Sequence, residues 1–350
     1  MKALLLSEYR HLEITDLPSP TPAPDEVLIR VSACGICGSD VHGYDGSSGR
    51  RIPPIVMGHE AAGIVAAIGK DVRKVAEGDR ITFDSTVFCG VCPFCLRGEI
   101  NLCDNRNVLG VSCGDYRRAG AFAEFVTVPE RIVHRLPESL GFPQAAMLEA
   151  VSVALHAVSL SRIETGQSAL VLGAGMIGLL TMQALRVAGC SSVYVADVDS
   201  TRLKLASSLG ATETLLATGA DLASKISDLT QGQGVDLAVE AVGINDTVTA
   251  AVNCVRKGGT VTLVGNISAE VTLPLQKVVT RQIRMQGSCA SSGEYPQAIE
   301  LVSTGKIQVQ PLITAIAPLE EGPRWFERLY SREPNLMKVV LTPNPSGLPS

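Results

Sequence analysis

The sequence predicts an α/β protein with a doubly wound parallel sheet in its second half and a mostly β body in its first. Three observations carry this. In the middle of the chain a short apolar run, Ala169 to Leu172, breaks at Gly173; from Met176 an apolar-rich segment continues through Leu179, Leu180, Met182, Leu185 and Val187, a helical length. Beyond it, strand-like runs alternate with helical segments as far as Gly287. Ahead of it, many short strands punctuated by glycine, without a helical period, suggest a barrel-like all-β body.

The strand–turn–helix in the middle organises the rest. Gly173, Gly175 and Gly178 stand at G-x-G-x-x-G spacing, with Met176 and Ile177 opening the helix. The first glycine allows the tight turn, the second lets a pyrophosphate approach the backbone, and the third lets helix and strand pack closely. The free N–H groups and dipole of the helix N-terminus then hold the anion. The motif alone is weak evidence, but Ser192-Val-Tyr-Val-Ala-Asp197 forms a second strand ending in an acid about 20 residues later, as a ribose contact requires. Dinucleotide binding is therefore expected.

A chain of 350 residues is long enough for two domains with two cores. With 46% apolar and 19% charged residues its composition is globular. A net charge of −5 without a Lys/Arg block argues against a nucleic-acid partner. The start, Met-Lys-Ala-Leu-Leu-Leu-Ser-Glu, is too short an apolar run for a signal sequence, and no run reaches a membrane span. A soluble, cytoplasmic protein with no membrane partner is expected. In that compartment ten cysteines point to metal or reactive thiols rather than disulfides.

Taken in order, Lys2 to Leu6 and Leu12 to Thr15 read as a hairpin, and Pro18 to Pro24 as an extended connector. Glu26 to Ala33 has period-2 character and leads as a strand into Cys34-Gly-Ile-Cys37-Gly-Ser39-Asp-Val-His42; Gly58-His59-Glu60 follows some twenty residues later. Gly63 to Ile68 and Asp79 to Phe83 are further strands. In the second half, strands are expected at Ala169–Leu172, Ser192–Ala196, Val235–Val239, Thr260–Val264 and Ile283–Gly287, with helices at Asp199–Ser208 and Asp221–Leu229. Val151 to Leu160 is the expected connecting helix. Ligands bind at the carboxyl ends of such strands, so Glu240-Ala-Val242-Gly243 and Val264-Gly265-Asn266 should line the nicotinamide side. From about Ser291 the chain returns to the first domain through a helix to Ser303, then Ile307–Val309 and Met337–Leu341; the tail from Thr342 to Ser350 should be loose.

Two clusters carry metal chemistry. Cys89, Cys92, Cys95 and Cys103 can close a tetrahedral thiolate site with every position filled by protein, the mark of a structural zinc. Free cysteines and an iron–sulfur cluster are the alternatives, although ferredoxin-type spacings differ. Cys37 and His59 each follow a glycine turn and could converge, with Glu60 beside them, whereas an open catalytic zinc wants three protein ligands and a free position. Taken alone, a buried cysteine and a core histidine are more often packing.

At this point the chain resembles the zinc-dependent medium-chain dehydrogenases/reductases of the alcohol dehydrogenase superfamily, in the polyol branch typified by sorbitol or L-iditol 2-dehydrogenase. The resemblance rests on Cys37-Gly-Ser-Asp-Val-His42, Gly58-His59-Glu60, the Cys89–Cys103 lobe, Glu149-Ala-Val-Ser-Val-Ala-Leu-His156, Gly173 to Gly178 and Val261-Thr-Leu-Val-Gly265. It implies a Rossmann NAD-binding domain at 153–290 and a discontinuous, GroES-like catalytic domain at 1–152 and 291–350. It implies one catalytic zinc on Cys37, His59 and Glu149, with Glu60 orienting it or entering its shell, and one structural zinc on the four cysteines. Ser39 and His42 match the relay that carries the alcohol proton outward. Asp197 matches the ribose-binding acid and Arg202 the base beside the adenosine end, with Gly173, Gly175, Met176, Ile177, Gly178, Val242, Val264 and Gly265 along the cofactor. Zinc would act as the Lewis acid on a secondary alcohol, a polyol or sugar alcohol with or without phosphate, and NAD as hydride acceptor in a homotetramer or dimer.

The chain departs from the branch in two places. Ala150 follows Glu149 where proline is usual, and Gly287-Ser-Cys-Ala-Ser291 lacks the arginine and aromatic that touch sorbitol hydroxyls. Simple secondary alcohols, diols or L-threonine are thus alternative substrates. A non-catalytic nucleotide-binding protein or a thiol redox sensor is the reading from a different class.

Overall fold

The computed structural model describes residues 1–114, 116–217 and 221–343, and the chain divides into two units. One comprises residues 1–149 and 295–304 together with the chain from Val309 onward. The other comprises 150–294 and 305–308.

The first unit is built on a seven-stranded sheet. Its order runs Val133–Arg135, Arg80–Phe83, Glu60–Ile68, Glu26–Gly35, Lys338–Thr342, Ile313–Pro318, and Phe125–Pro129 also pairs with Glu26–Gly35. Alternation explains the central strand: Val27, Ile29 and Val31 are fully buried while Leu28 and Arg30 face partly outward. From Val31 to Gly35 the strand is buried on both faces, and this end carries the chemistry. There Gly35 stands opposite Glu60 on one side and Val340 on the other, so three remote segments meet at one point. Phe122 and Phe326 close the core at a ring separation of 5.7 Å.

The second unit holds six parallel strands in the order Glu213–Leu216, Ser192–Asp197, Ser168–Leu172, Val235–Glu240, Val255–Leu263, Arg284–Gly287. In chain order that is 3-2-1-4-5-6, the doubly wound arrangement whose strand order reverses beside Ser168–Leu172. Ala169, Leu170, Val171, Leu237 and Val239 are all at most 1% exposed, as strands covered on both faces require.

Several expectations need correction. Glu213–Leu216 is a strand that the sequence reading left out, as is the Gly322–Tyr330 helix. Ile307–Val309 is irregular rather than a strand; Gln183 binds the neighbouring Gln308 through both its backbone N–H (2.7 Å) and its carbonyl (3.1 Å). The strand that pairs with Lys338–Thr342 is instead Ile313–Pro318. Thr342 closes that strand, whereas residues 344–350 of the supposed loose tail lie outside the described residues. No described helix is long and apolar enough to cross a membrane.

Candidate active site and cofactor pocket

Cys37 is the N-cap of the Gly38–Tyr44 helix, which starts two residues beyond the central strand. His59 and Glu60 enter at the start of the antiparallel partner strand, after Gly58 at φ +96°, a conformation glycine adopts freely. A side chain at Gly58 would also press on Phe122 and Cys34, and one at Gly35 would lie 2.4 Å from the Glu60 carboxylate. The two glycines therefore make room for the cluster. The donor atoms of Cys37, His59 and Glu60 all lie within 4.8 Å of one another. Glu149 stands in the first turn of the Leu148–Leu160 helix, outside that triplet. Its carboxyl is pushed up to about 7, chiefly by burial and then by the charge of Glu60, with His59 and Lys338 pulling the other way.

Two groups that the sequence reading passed over hold these donors in place. Asp40, fully buried, lies 3.3 Å from His59 Nδ1 through Oδ1 and accepts the Cys37 N–H at 3.2 Å through Oδ2. Burial works to raise its carboxyl, but His59, Arg51 and the Cys37 amide outweigh it and hold it at about 2. The contact is a charge pair rather than an aligned hydrogen bond, and a carboxylate on the Nδ1 side favours a proton there and leaves Nε2 for a metal. Lys338, 3% exposed, donates to Glu60 Oε2 at 2.5 Å and to the Ile36 carbonyl at 3.2 Å. Asp40 had a local signal, three residues after Cys37 in one helix turn. Lys338 had none.

Ser39 and His42 are exposed and three residues apart on the same short helix, with Ser39 Oγ 3.5 Å from His59 Nε2. The four-cysteine lobe forms as a cluster with donor atoms within 4.8 Å; Cys89 and Cys95 sulfurs are 4.0 Å apart. Zinc–sulfur bonds of about 2.3 Å put tetrahedral sulfurs roughly 3.8 Å apart, so the lobe fits zinc. Cys89 accepts the N–H groups of Val91 and Cys92 at 3.5 and 3.4 Å, and these lower its thiol to about 6. The mixed sulfur, imidazole and carboxylate set at Cys37 likewise suits zinc, or another metal taking N, O and S donors.

In the second unit a cavity of roughly 660 Å³ is lined by Gly173, Asp197, Arg202, Val242, Ile244 and Thr247, among others. Gly173 has φ +97°, and a Cβ on Gly178 would lie 1.7 Å from the Gly173 carbonyl oxygen, so only glycine permits this turn. Gly175 caps the Met176–Val187 helix without a side-chain partner, and a Cβ there would enter open space, a cradle suited to a pyrophosphate. Asp197 Oδ2 accepts the Ala174 N–H at 2.5 Å and Oδ1 the Asp199 N–H at 2.8 Å, so it also pins the glycine turn. Val264 and Gly265 do not line the cavity; their N–H groups bind the Glu240 carbonyl at 2.9 and 3.0 Å. Met176 and Ile177 are likewise off it, in the first turn of the helix.

Residues 23–138 match the alcohol dehydrogenase GroES-like domain and residues 177–304 the zinc-binding dehydrogenase domain. The chain is 33% identical to a sorbitol dehydrogenase of Bacillus subtilis, over 98% of each chain. The chain belongs to the zinc-type alcohol dehydrogenase family. As such it is an oxidoreductase of the zinc- and nicotinamide-dependent kind. It is also 33% identical to a D-arabitol-phosphate dehydrogenase of Enterococcus avium, over 96% of this chain and 95% of that one. A protein of Sinorhizobium meliloti 1021 described as a zinc-binding dehydrogenase, in a crystal structure with NADP, superposes with a TM-score of 0.89 at 34% identity. The match covers 98% of this chain and 99% of that one.

Proposed function

We propose that this chain oxidises a secondary alcohol of a polyol or sugar alcohol, free or phosphorylated, to the ketone, with NAD as hydride acceptor. The observation that carries the reading is the convergence of Cys37, His59 and Glu60 in a chain that also has the Gly173–Gly178 turn. The polyol class is supported by the sorbitol and D-arabitol-phosphate dehydrogenases among its relatives and by a glutamate at 149.

At the Cys37 site zinc supplies Lewis acidity to the alcohol oxygen, and NAD supplies the hydride acceptor. Cys37, His59 and a carboxylate would hold the metal. Glu60 already lies within reach, and Glu149 is the second candidate for that place. Asp40, on the Nδ1 side of the His59 ring, would leave Nε2 to the metal. Ser39 takes the hydroxyl proton as its own proton leaves outward toward His42, so the substrate loses one proton to the relay and one hydride to the cofactor. The four cysteines hold a second, structural zinc.

Asp197 supports NAD over NADP, because a carboxylate accepts from the ribose 2′-hydroxyl and repels a 2′-phosphate. Arg202, which lines the same cavity, pairs with Asp199 at 3.7 Å. Asp197→Ala should relax the preference; specificity constants that favour NADP in the unmodified enzyme would overturn it. Homo-oligomerisation, as a dimer or tetramer, belongs to the same reading and is settled by sedimentation. So does a cytoplasmic location, where a chain with ten cysteines uses them for metal or reactive thiols rather than for disulfides. The experiment for the activity is a screen following NADH absorbance over polyols, their phosphates, diols, simple secondary alcohols and L-threonine. Oxidation of a polyol or its phosphate supports the proposal, and turnover confined to simple alcohols or threonine rejects the substrate class.

A further inference from the structure

Arg51 looks in the sequence like half of a solvated basic pair, Arg50-Arg51, yet its residue is only 4% exposed while Arg50 is exposed. Its side chain lies across the last turn of the Gly38–Tyr44 helix. The space exists because residue 43 is glycine: a Cβ there would lie 2.1 Å from Arg51 Cγ. A single terminal nitrogen, Nη2, donates to Asp40 Oδ1 at 3.2 Å and to Ser39 Oγ at 3.3 Å. Nη1 donates to the Arg50 carbonyl at 3.3 Å. A buried guanidinium is thus aimed at the two residues that serve the candidate metal site from behind and from in front.

We propose that Arg51 is a positioning residue that aims Asp40 at His59 and gives the Ser39 hydroxyl its direction. The argument rests on what each group can donate and accept. Asp40 Oδ1 is shared by Arg51 and, at 3.3 Å, by His59 Nδ1. Fixing that oxygen therefore fixes the imidazole, and with it the direction of Nε2. A guanidinium has no acceptor, so at Ser39 it can only donate. The Ser39 O–H must then point elsewhere. One lone pair of Oγ is taken by Arg51, the other remains for the alcohol proton, and the O–H is free to be passed outward. Oγ already lies 3.5 Å from His59 Nε2, and without Arg51 nothing holds the hydroxyl against turning fully toward that nitrogen or into solvent. The nearby positive charge also favours proton transfer out of Ser39 over its retention.

This inference rests on the dehydrogenase reading above, and its test has a readout independent of turnover. Arg51→Gln, Arg51→Lys, Ser39→Ala and the two double variants are prepared as zinc-loaded full chains. Two quantities are followed: the rate at which the Cys37 site loses metal to a chelator, and turnover of the best alcohol from the screen. Partners that orient a metal ligand are worth about 10- to 100-fold in metal affinity or activity. Arg51→Gln should therefore release this metal roughly 10- to 100-fold faster and lower kcat by a similar factor, with KM for NAD unchanged. In the Ser39→Ala background the same substitution should cost much less turnover, since the hydroxyl it directs is gone. Arg51→Lys, which keeps the charge on a shorter side chain without the planar, fixed donors of a guanidinium, should lie between. Metal release at the wild-type rate in both Arg51 variants, with turnover losses that simply multiply across the two backgrounds, would overturn the proposal. An enzyme that oxidises no alcohol would refute the dehydrogenase reading, while the metal-release comparison would still decide the part played by Arg51.

Discussion

Replacing Lys338 by methionine isolates the most demanding electrostatic contact of the first unit. The ammonium and the Glu60 carboxylate are 2.5 Å apart with side chains 3% and 1% exposed, and the lysine also holds the Ile36 carbonyl. Burial works to lower the Lys338 ammonium, but Glu60, Cys37 and Glu149 outweigh it and keep it charged. Removing one partner of a buried pair costs about 3–5 kcal/mol, because the other charge stays behind. Lys338→Met should therefore lose about 3–5 kcal/mol at pH 7. Urea unfolding of the chain stripped of metal at the Cys37 site, compared with the wild type in the same state, measures this, and Glu60→Gln/Lys338→Met should recover most of the stability. A loss below about 1 kcal/mol would refute the reasoning.

Three further outcomes are expected. His42→Ala should lower turnover with metal content unchanged, within the roughly 100- to 10,000-fold that such general acid–base help contributes; loss of one zinc would show that the ligand set is wrong. Titration with a chelator should strip the Cys37/His59 metal and activity first, because the Cys89–Cys103 lobe has no open position, and Cys92→Ser should cost stability rather than chemistry. His134, stacked on Tyr295 at 5.0 Å, has its imidazole lowered to about 4 by burial and then by Lys74. The unfolded chain therefore binds a proton below pH 6.5 that the folded chain takes only near pH 4. Its contribution is present above pH 6.5 and is lost on acidification through that window, and His134→Gln should flatten the stability curve there.

What could be read from the sequence was what is local. The four-cysteine lobe spans fifteen residues, and the glycine turn with its flanking strand and helix spans twenty, so residue types and spacing suffice. Cys37 and His59 were within reach because each follows a glycine turn, but their meeting depends on the pairing of Gly35 with Glu60. Lys338 joins Glu60 from 278 positions away, through the Val340–Gly35 pairing, and no spacing rule reaches that far. Arg51 escaped for a different reason: an arginine pair before two prolines looks solvated, and only the space left by Gly43 buries it. The missed strand Glu213–Leu216 sits at a sheet edge with Leu215 alone buried, too short and too exposed for an apolar pattern. The missed Gly322–Tyr330 helix buries chiefly Phe326 and carries glycine and proline at its start, which reads as a turn.

The most direct measurement of the central claim pairs metal analysis with turnover in the wild type and in Cys37→Ser. The account predicts two zinc ions and NAD-dependent oxidation of a polyol or its phosphate in the wild type, against one zinc, held by the four cysteines, and no turnover in the variant. A Cys37→Ser enzyme that keeps both zinc ions, or that oxidises the alcohol at the wild-type rate, would contradict it.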